Sequence, residues 1–197
     1  VTLRPDHAGV LANRGSTLQT LKRFDEALAS FDRALALRPD DAELHHHRGN
    51  LLNELGRDDE AVAGYDRAIA LRPNYADALN NRGVALHRLA RFGEALASFD
   101  SALAVRPDYV IAHYKRGNAL RELKRFDDAL AAYDRVLAGE ARHAQAHYNR
   151  GLTLHDMARY DEAVASYDHA LALQPDNAGI SIDRGTALYR QKRFEEA

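Results

Sequence analysis

Between Ala76 and Tyr109 the small and apolar residues fall in two stripes. Leu79, Gly83 and Leu86 lie three or four positions apart, the spacing of one face of an α-helix about three turns long. Ala95, Phe99, Ala102 and Leu103 then step by four, three and one, which again describes a single buried face. Ala90-Arg91 separates the two stripes. Arg106-Pro107 ends the second, because proline has no N–H with which to continue a helix. The pattern predicts two helices, the second opening at Phe92 with Glu94 in a first turn where negative charge complements the helix dipole. Asp108 is placed to cap the helix that follows.

The block recurs along the whole chain. Gly83 has counterparts at a constant interval, at Gly15, Gly49, Gly117, Gly151 and Gly185. All five prolines (Pro5, Pro39, Pro73, Pro107, Pro175) share one column of that period, with Ala141 in the single gap. A fixed period in this range means stacked supersecondary units rather than one globular core. The frames are 8–41, 42–75, 76–109, 110–143 and 144–177, preceded by the tail of an earlier repeat (1–7) and followed by a partial one (178–197). Leu3-Arg4-Pro5-Asp6 is in phase with Leu37-Arg38-Pro39-Asp40, and the final Arg193-Phe194-Glu195-Glu196-Ala197 matches the opening of a second helix. Neither end resembles the polar cap a solenoid needs, so a segment of a longer array is expected.

Two helices in a repeat of this length, with this small/large alternation, resemble the tetratricopeptide repeat (TPR). The resemblance rests on the glycines and prolines and on the alanine column Ala27, Ala61, Ala95, Ala129, Ala163 and Ala197. It rests also on the aromatic column Phe31, Tyr65, Phe99, Tyr133 and Tyr167, and on Ala34, Ala68, Ala102 and Ala170, where Val136 departs. The family's tryptophan is absent; Leu11, His45, Leu79, His113, His147 and Ser181 stand there. The resemblance implies an all-α solenoid, a right-handed superhelix whose first helices line a concave groove that holds a protein or peptide partner.

Composition narrows the function. The net charge is −2, which argues against nucleic acid, since that partner demands a basic face. No run of some 18 apolar residues spans a membrane, and no signal peptide is visible; the expected location is cytoplasmic. Without cysteine there is no thiolate chemistry. No nucleophile elbow or phosphate loop occurs, so a non-catalytic chain without cofactor is expected. His45-His46-His47 points in three directions about 100° apart on a helix and does not make a metal site, nor does His155-Asp156.

Groove candidates flank the glycines. Asn13, Asn81 and Asn149 stand two residues before theirs, Asn50 and Asn118 one after; three positions apart, the two slots share a helix face. Asparagine carries both donor and acceptor, as a peptide backbone requires. The line is similar to the asparagine ladder in the repeat arm of O-linked N-acetylglucosamine transferases, although His47, Lys115 and Asp183 interrupt it. The asparagines either hold an extended chain or merely cap and solvate an exposed face. Tyr114 and Tyr148 would add apolar anchoring, and His46, His87 and His155 ring surface titrating near neutrality. An arginine before every glycine (Arg14, Arg48, Arg82, Arg116, Arg150, Arg184) and an aspartate after every aromatic (Asp32, Asp66, Asp100, Asp134, Asp168) are expected to pair as structural ions rather than to bind an anion. The expected function is a protein-interaction module holding an extended segment; alternatives are the substrate-recruiting arm of a larger glycosyltransferase, or a scaffold that self-associates through open repeat ends.

Overall fold

The computed structural model of the chain describes residues 6–195, with side chains described for residues 7–191. Pro5, Glu196 and Ala197, and the side chains of Arg193, Phe194 and Glu195, lie outside the described residues. The chain is all-α and divides into two compact units at Pro107/Asp108. The first contains α1 (Asp6–Thr20), α2 (Phe24–Leu37), α3 (Ala42–Glu54), α4 (Asp58–Leu71), α5 (Ala76–Arg88) and α6 (Phe92–Val105). The second contains α7 (Val110–Glu122), α8 (Phe126–Gly139), α9 (Ala144–Asp156), α10 (Tyr160–Leu173) and α11 (Ala178–Glu195).

In the first unit α2 packs on both α1 and α3, and α4 on both α3 and α5, while α1, α3 and α5 also touch in succession. In the second, α8 lies on α7 and α9, α10 on α9 and α11, and the odd-numbered helices again meet in a row. First helices thus form one layer of each unit and second helices the other. The predicted columns are the core. Ala27, Ala61, Ala95, Ala129 and Ala163 are fully buried, as are the small residues seven positions on, Val136 included.

The repeat glycines Gly15, Gly49, Gly83, Gly117 and Gly151 each face the aromatic ring of their own second helix. A Cβ on Gly83 would lie 2.5 Å from Phe99 Cε1, and one on Gly117 2.6 Å from Tyr133 Cε1. Gly15, Gly49 and Gly151 meet Phe31, Tyr65 and Tyr167 in the same way. The ring lies directly on the backbone of the first helix, a contact that a Cβ would block. Gly185 has nothing within 4 Å.

Between the helices of a repeat the chain takes one left-handed step. At Ala90 φ is 57°; Arg91 N–H then reaches Leu86 O at 2.9 Å and Ala90 N–H reaches His87 O at 3.0 Å, which satisfies the last carbonyls of α5. Lys22, Gly56, Lys124 and Ala158 take the same step. The second helices open on an arginine (Arg23, Arg57, Arg91, Arg125, Arg159) whose side chain does not cap the backbone. Each arginine pairs instead with the acidic residue three positions on, as Arg91 does with Glu94 at 2.7 Å. The acidic column therefore serves both the dipole and this ion pair, and the hydrogen bond from Arg57, Arg91 or Arg159 holds Glu60, Glu94 and Glu162 below the usual carboxyl range.

Three details differ from expectation. Asp108 does not cap α7: the helix begins one residue later, with Tyr109 at the capping position and no side-chain cap. In α3 the capping position itself holds an acid, Asp41, which accepts from Glu43 N and Leu44 N. Proline is not needed to end a second helix, because α8 closes at Gly139 with the same 14 residues as α6 although Ala141 replaces proline. Finally, α11 runs unbroken to Glu195, through the Lys192 that aligns with the left-handed residues.

The glycine column yields a paired prediction. Gly83→Ala destabilises the protein by about 1–3 kcal/mol in urea unfolding, because the buried Phe99 ring has no space to retreat. Gly93→Ala, where an added Cβ meets nothing within 4 Å, leaves stability unchanged or raises it by up to about 1 kcal/mol through helix propensity. Equal effects at the two sites would refute the contact as the origin of the column.

Candidate functional site

The asparagines do lie along the layer of first helices in each unit, but they are not independent. Asn81 Nδ2 on α5 donates to Asn50 Oδ1 on α3 at 2.9 Å. Asn149 Nδ2 on α9 donates to Asn118 Oδ1 on α7, also at 2.9 Å. Four of the five candidates are joined in pairs, one pair in each unit, and all four are half-buried. Asn13 stands exposed on α1.

A buried tyrosine orients each pair. Tyr65 OH donates to Asn50 Oδ1 and Tyr133 OH to Asn118 Oδ1, both at 2.9 Å. A hydroxyl buried this deeply needs a partner, and the asparagine one residue after the glycine supplies it. Burial pushes both phenols well above their ordinary pKa. Where the aromatic is Phe31 or Phe99, that slot holds Ser16 or Val84. Tyr167 breaks the rule. Its slot holds Leu152, and its buried hydroxyl has no partner among the described residues.

A second bond joins Asn81 and Asn149 to the residue three before the preceding glycine. In the first unit that residue is His46, whose Nε2 accepts from Asn81 Nδ2 at 3.1 Å while Nδ1 meets Tyr75 OH at 2.9 Å. Since Nε2 is the acceptor, neutral His46 carries its proton on Nδ1 and donates to Tyr75. In the second unit Tyr114 takes the place of His46 and accepts from Asn149 Nδ2 at 2.9 Å, with His143 against its ring at 5.1 Å. Histidine and tyrosine have exchanged places two repeats on. Tyr148 makes the next bond of this kind, donating to Asp183 Oδ2 at 2.7 Å. Burial, with the nearby Asp183, raises its pKa to about 12.

His46 is therefore not the groove surface expected of it. It is 7% exposed, and its pKa falls to about 4, first through burial and next through His47, against the opposite pull of Asp77 and Glu43. Its neighbours also have separate tasks: His45 Nε2 bonds the Pro39 carbonyl at 2.7 Å, and His47 stacks on Phe31 at 6.2 Å. His155 packs edge-on against Tyr160. Lys115 Nζ sits over the Tyr114 ring at 5.5 Å.

The arginine and aspartate columns pair across neighbouring repeats. Arg48–Asp32, Arg82–Asp66, Arg150–Asp134 and Arg184–Asp168 lie at 2.5–2.8 Å. Arg82 and Arg150 also donate to the buried Ser98 and Ser166. These four arginines are engaged in structure, as expected, and do not offer an anion ladder. In the first unit a pocket of about 160 Å³ opens beside the asparagine pair, lined by Asn50, Asn53, Tyr65, Asn81 and Val84. Arg88 donates to the Asn53 carbonyl and to its Oδ1, which leaves the buried Asn53 Nδ2 without a partner among the described residues.

Stacked pairs of antiparallel helices, a small residue under an aromatic ring in each pair and polar residues along the first helices define a helix-turn-helix repeat protein. Models described as TPR repeat or tetratricopeptide repeat match residues 15–56, 49–89, 81–139, 114–156 and 144–177. The chain belongs to the tetratricopeptide repeat family, and it is a protein-interaction module of that kind. No curated protein sequence matches it significantly. Among solved structures, MamA is 22% identical with a TM-score of 0.82, over 89% of this chain and 96% of its own. YrrB, described as a TPR protein with an unusual peptide-binding site, is 25% identical with a TM-score of 0.77, over 92% of this chain and 90% of its own. TTC0263, a thermophilic TPR protein of Thermus thermophilus, is 27% identical with a TM-score of 0.66, over 92% of this chain and 99% of its own. Among the described residues no helix is long and apolar enough to cross a membrane.

The tyrosines separate cleanly by substitution. Tyr133→Phe lowers stability by about 1 kcal/mol through the lost hydrogen bond, whereas Tyr167→Phe leaves it unchanged or raises it by about 1 kcal/mol. Matching losses at both sites in denaturant unfolding would remove the asparagine as the tyrosine's partner.

His46 gives a pH dependence. Its folded pKa lies below the unfolded value of 6.5, so the unfolded chain binds the proton more readily. Its contribution is complete above about pH 6.5 and lost as pH falls toward 4, by up to about 3 kcal/mol. The double exchange His46→Tyr with Tyr75→His recreates the arrangement of the second unit and flattens that part of the stability profile. An unchanged slope between pH 6.5 and 4 would contradict the assignment.

Proposed function

We propose that the chain is a non-catalytic, cytoplasmic module that holds an extended polypeptide along its first helices by hydrogen bonds to the peptide backbone. The observation that carries this reading is the polar capacity left over in each asparagine pair. Asn50 Oδ1 already accepts from Tyr65 and Asn81, and both N–H bonds of Asn81 Nδ2 are spent on Asn50 and His46. Asn118 and Asn149 make the corresponding bonds, and Asn118 adds one with Tyr114, which leaves the second N–H of its amide. Asn81 Oδ1 takes one bond from Asn80 and keeps a second lone pair. The bonds that lock the pair thus leave an N–H donor on Asn50 or Asn118 and acceptor capacity on Asn81 or Asn149. One donor beside one acceptor is the complement of a peptide group.

Tyr114, Tyr148, Lys115 and His47 flank the asparagines and offer ring and ammonium surface to side chains of the bound segment. The likeness to YrrB, itself described as having a peptide-binding site, supports a peptide as partner. A net charge of −2 supports a protein rather than a nucleic acid.

A random-sequence pool of extended peptides tests this. The protein binds the pool, and the double variant Asn81→Ala with Asn149→Ala weakens binding by about 10-fold, the loss of one to two hydrogen bonds' worth of affinity, with helicity retained in circular dichroism. Absence of binding by the original protein, or binding unchanged by the double substitution, would overturn the reading.

A further inference from the structure

The constellation occurs twice, with a period of two repeats rather than one. Asn50, Tyr65 and Asn81 in the first unit become Asn118, Tyr133 and Asn149 in the second, each displaced by the same two repeats. The bonds among them recur at matching lengths. The group that completes the set is also present twice, as His46 with Tyr75 and as Tyr114 with His143. Two adjacent residue types have changed places, yet the hydrogen bond to the odd-repeat asparagine survives.

At the other repeat steps the same two slots are filled differently, by Ser16 with His47, Val84 with Lys115 and Leu152 with Asp183. A ladder offering a contact at every repeat does not fit this pattern. We infer that the holding element is a two-repeat unit, so that the chain carries two separate sites, Asn50–Asn81 and Asn118–Asn149, each taking one peptide group of an extended segment. The partner is then a polypeptide that offers two such segments, or two polypeptides, and linkage of the two segments raises overall affinity through effective concentration. The inference rests on the peptide reading above.

The two sites share their backbone chemistry and differ beside it. In the first, Asn53 and Val84 border the pair, and Asn53 is held by Arg88. In the second, their counterparts two repeats on are Arg121 and Leu152, and Arg121 pairs with Asp156 at 3.0 Å. The first site therefore sets an amide, and the second an ion pair, beside the gripped peptide group. The segments held at the two sites need not be alike in sequence.

A probe without side-chain preference isolates the shared chemistry. Blocked hexa-alanine (acetylated and amidated) is titrated into the full chain while the side-chain amide signals of the asparagines are followed by NMR. Two groups of signals move, Asn50 with Asn81 and Asn118 with Asn149, each with its own saturation curve. Asn81→Leu abolishes only the first response and Asn149→Leu only the second. Loss of both responses from either substitution, or movement of a single group, would replace two sites by one. If the random pool binds and hexa-alanine moves neither pair, the two-site inference falls while the peptide reading stands. If the pool itself does not bind, the peptide reading falls first.

Discussion

An aromatic ring resting on a glycine backbone is the contact from which the rest of this structure is assembled. At Gly83 the space a Cβ would fill is occupied by Phe99, which is fully buried. The consequence is geometric. With no side chain between them, the two helices of a repeat approach closely enough for alanines at Ala95 and Ala102 to complete the seam. Dispersion contacts of this kind are individually small, and they are lost steeply when a gap opens. Fixing the ring also fixes where its para position points. That turns a packing contact into the scaffold for a polar one.

The polar pairs depend on this register. When the ring is tyrosine, its hydroxyl emerges next to the residue following the glycine, and Asn50 and Asn118 are there to receive it. Each asparagine then has one lone pair left for the neighbouring repeat, and Asn81 or Asn149 takes it. A chain of charge-free hydrogen bonds thus runs from the core of one repeat to the surface of the next. Such a network is valuable only when fully satisfied, because an unpaired buried group is costly. Tyr167, whose slot holds Leu152, shows what an unsatisfied member looks like.

The periodic columns make the fold legible in the sequence itself. Helix existence, the break between helices and the buried faces follow from the spacing of Leu79, Gly83, Leu86, Ala95, Phe99 and Ala102, because each repeat confirms the same register. The pairing of the arginine and aspartate columns was legible for the same reason. Less legible were the bonds from Tyr65 to Asn50 and from Asn81 to Asn50 and His46, since these depend on how far one helix is offset from the next. The asparagines were visible as a line, yet not as pairs whose amides orient one another. A signal was available: asparagine follows the glycine in those repeats whose ring is Tyr65 or Tyr133, and not where it is Phe31 or Phe99. The burial of His46 was hidden as well. A histidine on a polar stretch such as His45-His46-His47 gives no hint of which ring points inward, and here Tyr65, Tyr75 and Asn81 close over it.

The compensations between the two units bear on what the polar pairs are for. His46 and Tyr75 become Tyr114 and His143, and Asn53 and Arg88 become Arg121 and Asp156; in both cases the residues change while an interaction between them remains. The two asparagines and the buried tyrosine at the centre do not change. If the asparagines served only to satisfy a tyrosine hydroxyl, Asn50 and Asn118 would suffice, and phenylalanine in the ring position would dispense with both. Asn81 and Asn149 add nothing to the burial of the ring. What they add is orientation, fixing the amide of the preceding repeat through its oxygen. The arrangement is therefore more elaborate than packing requires, and the surplus is the polar capacity on which the proposed peptide contact rests.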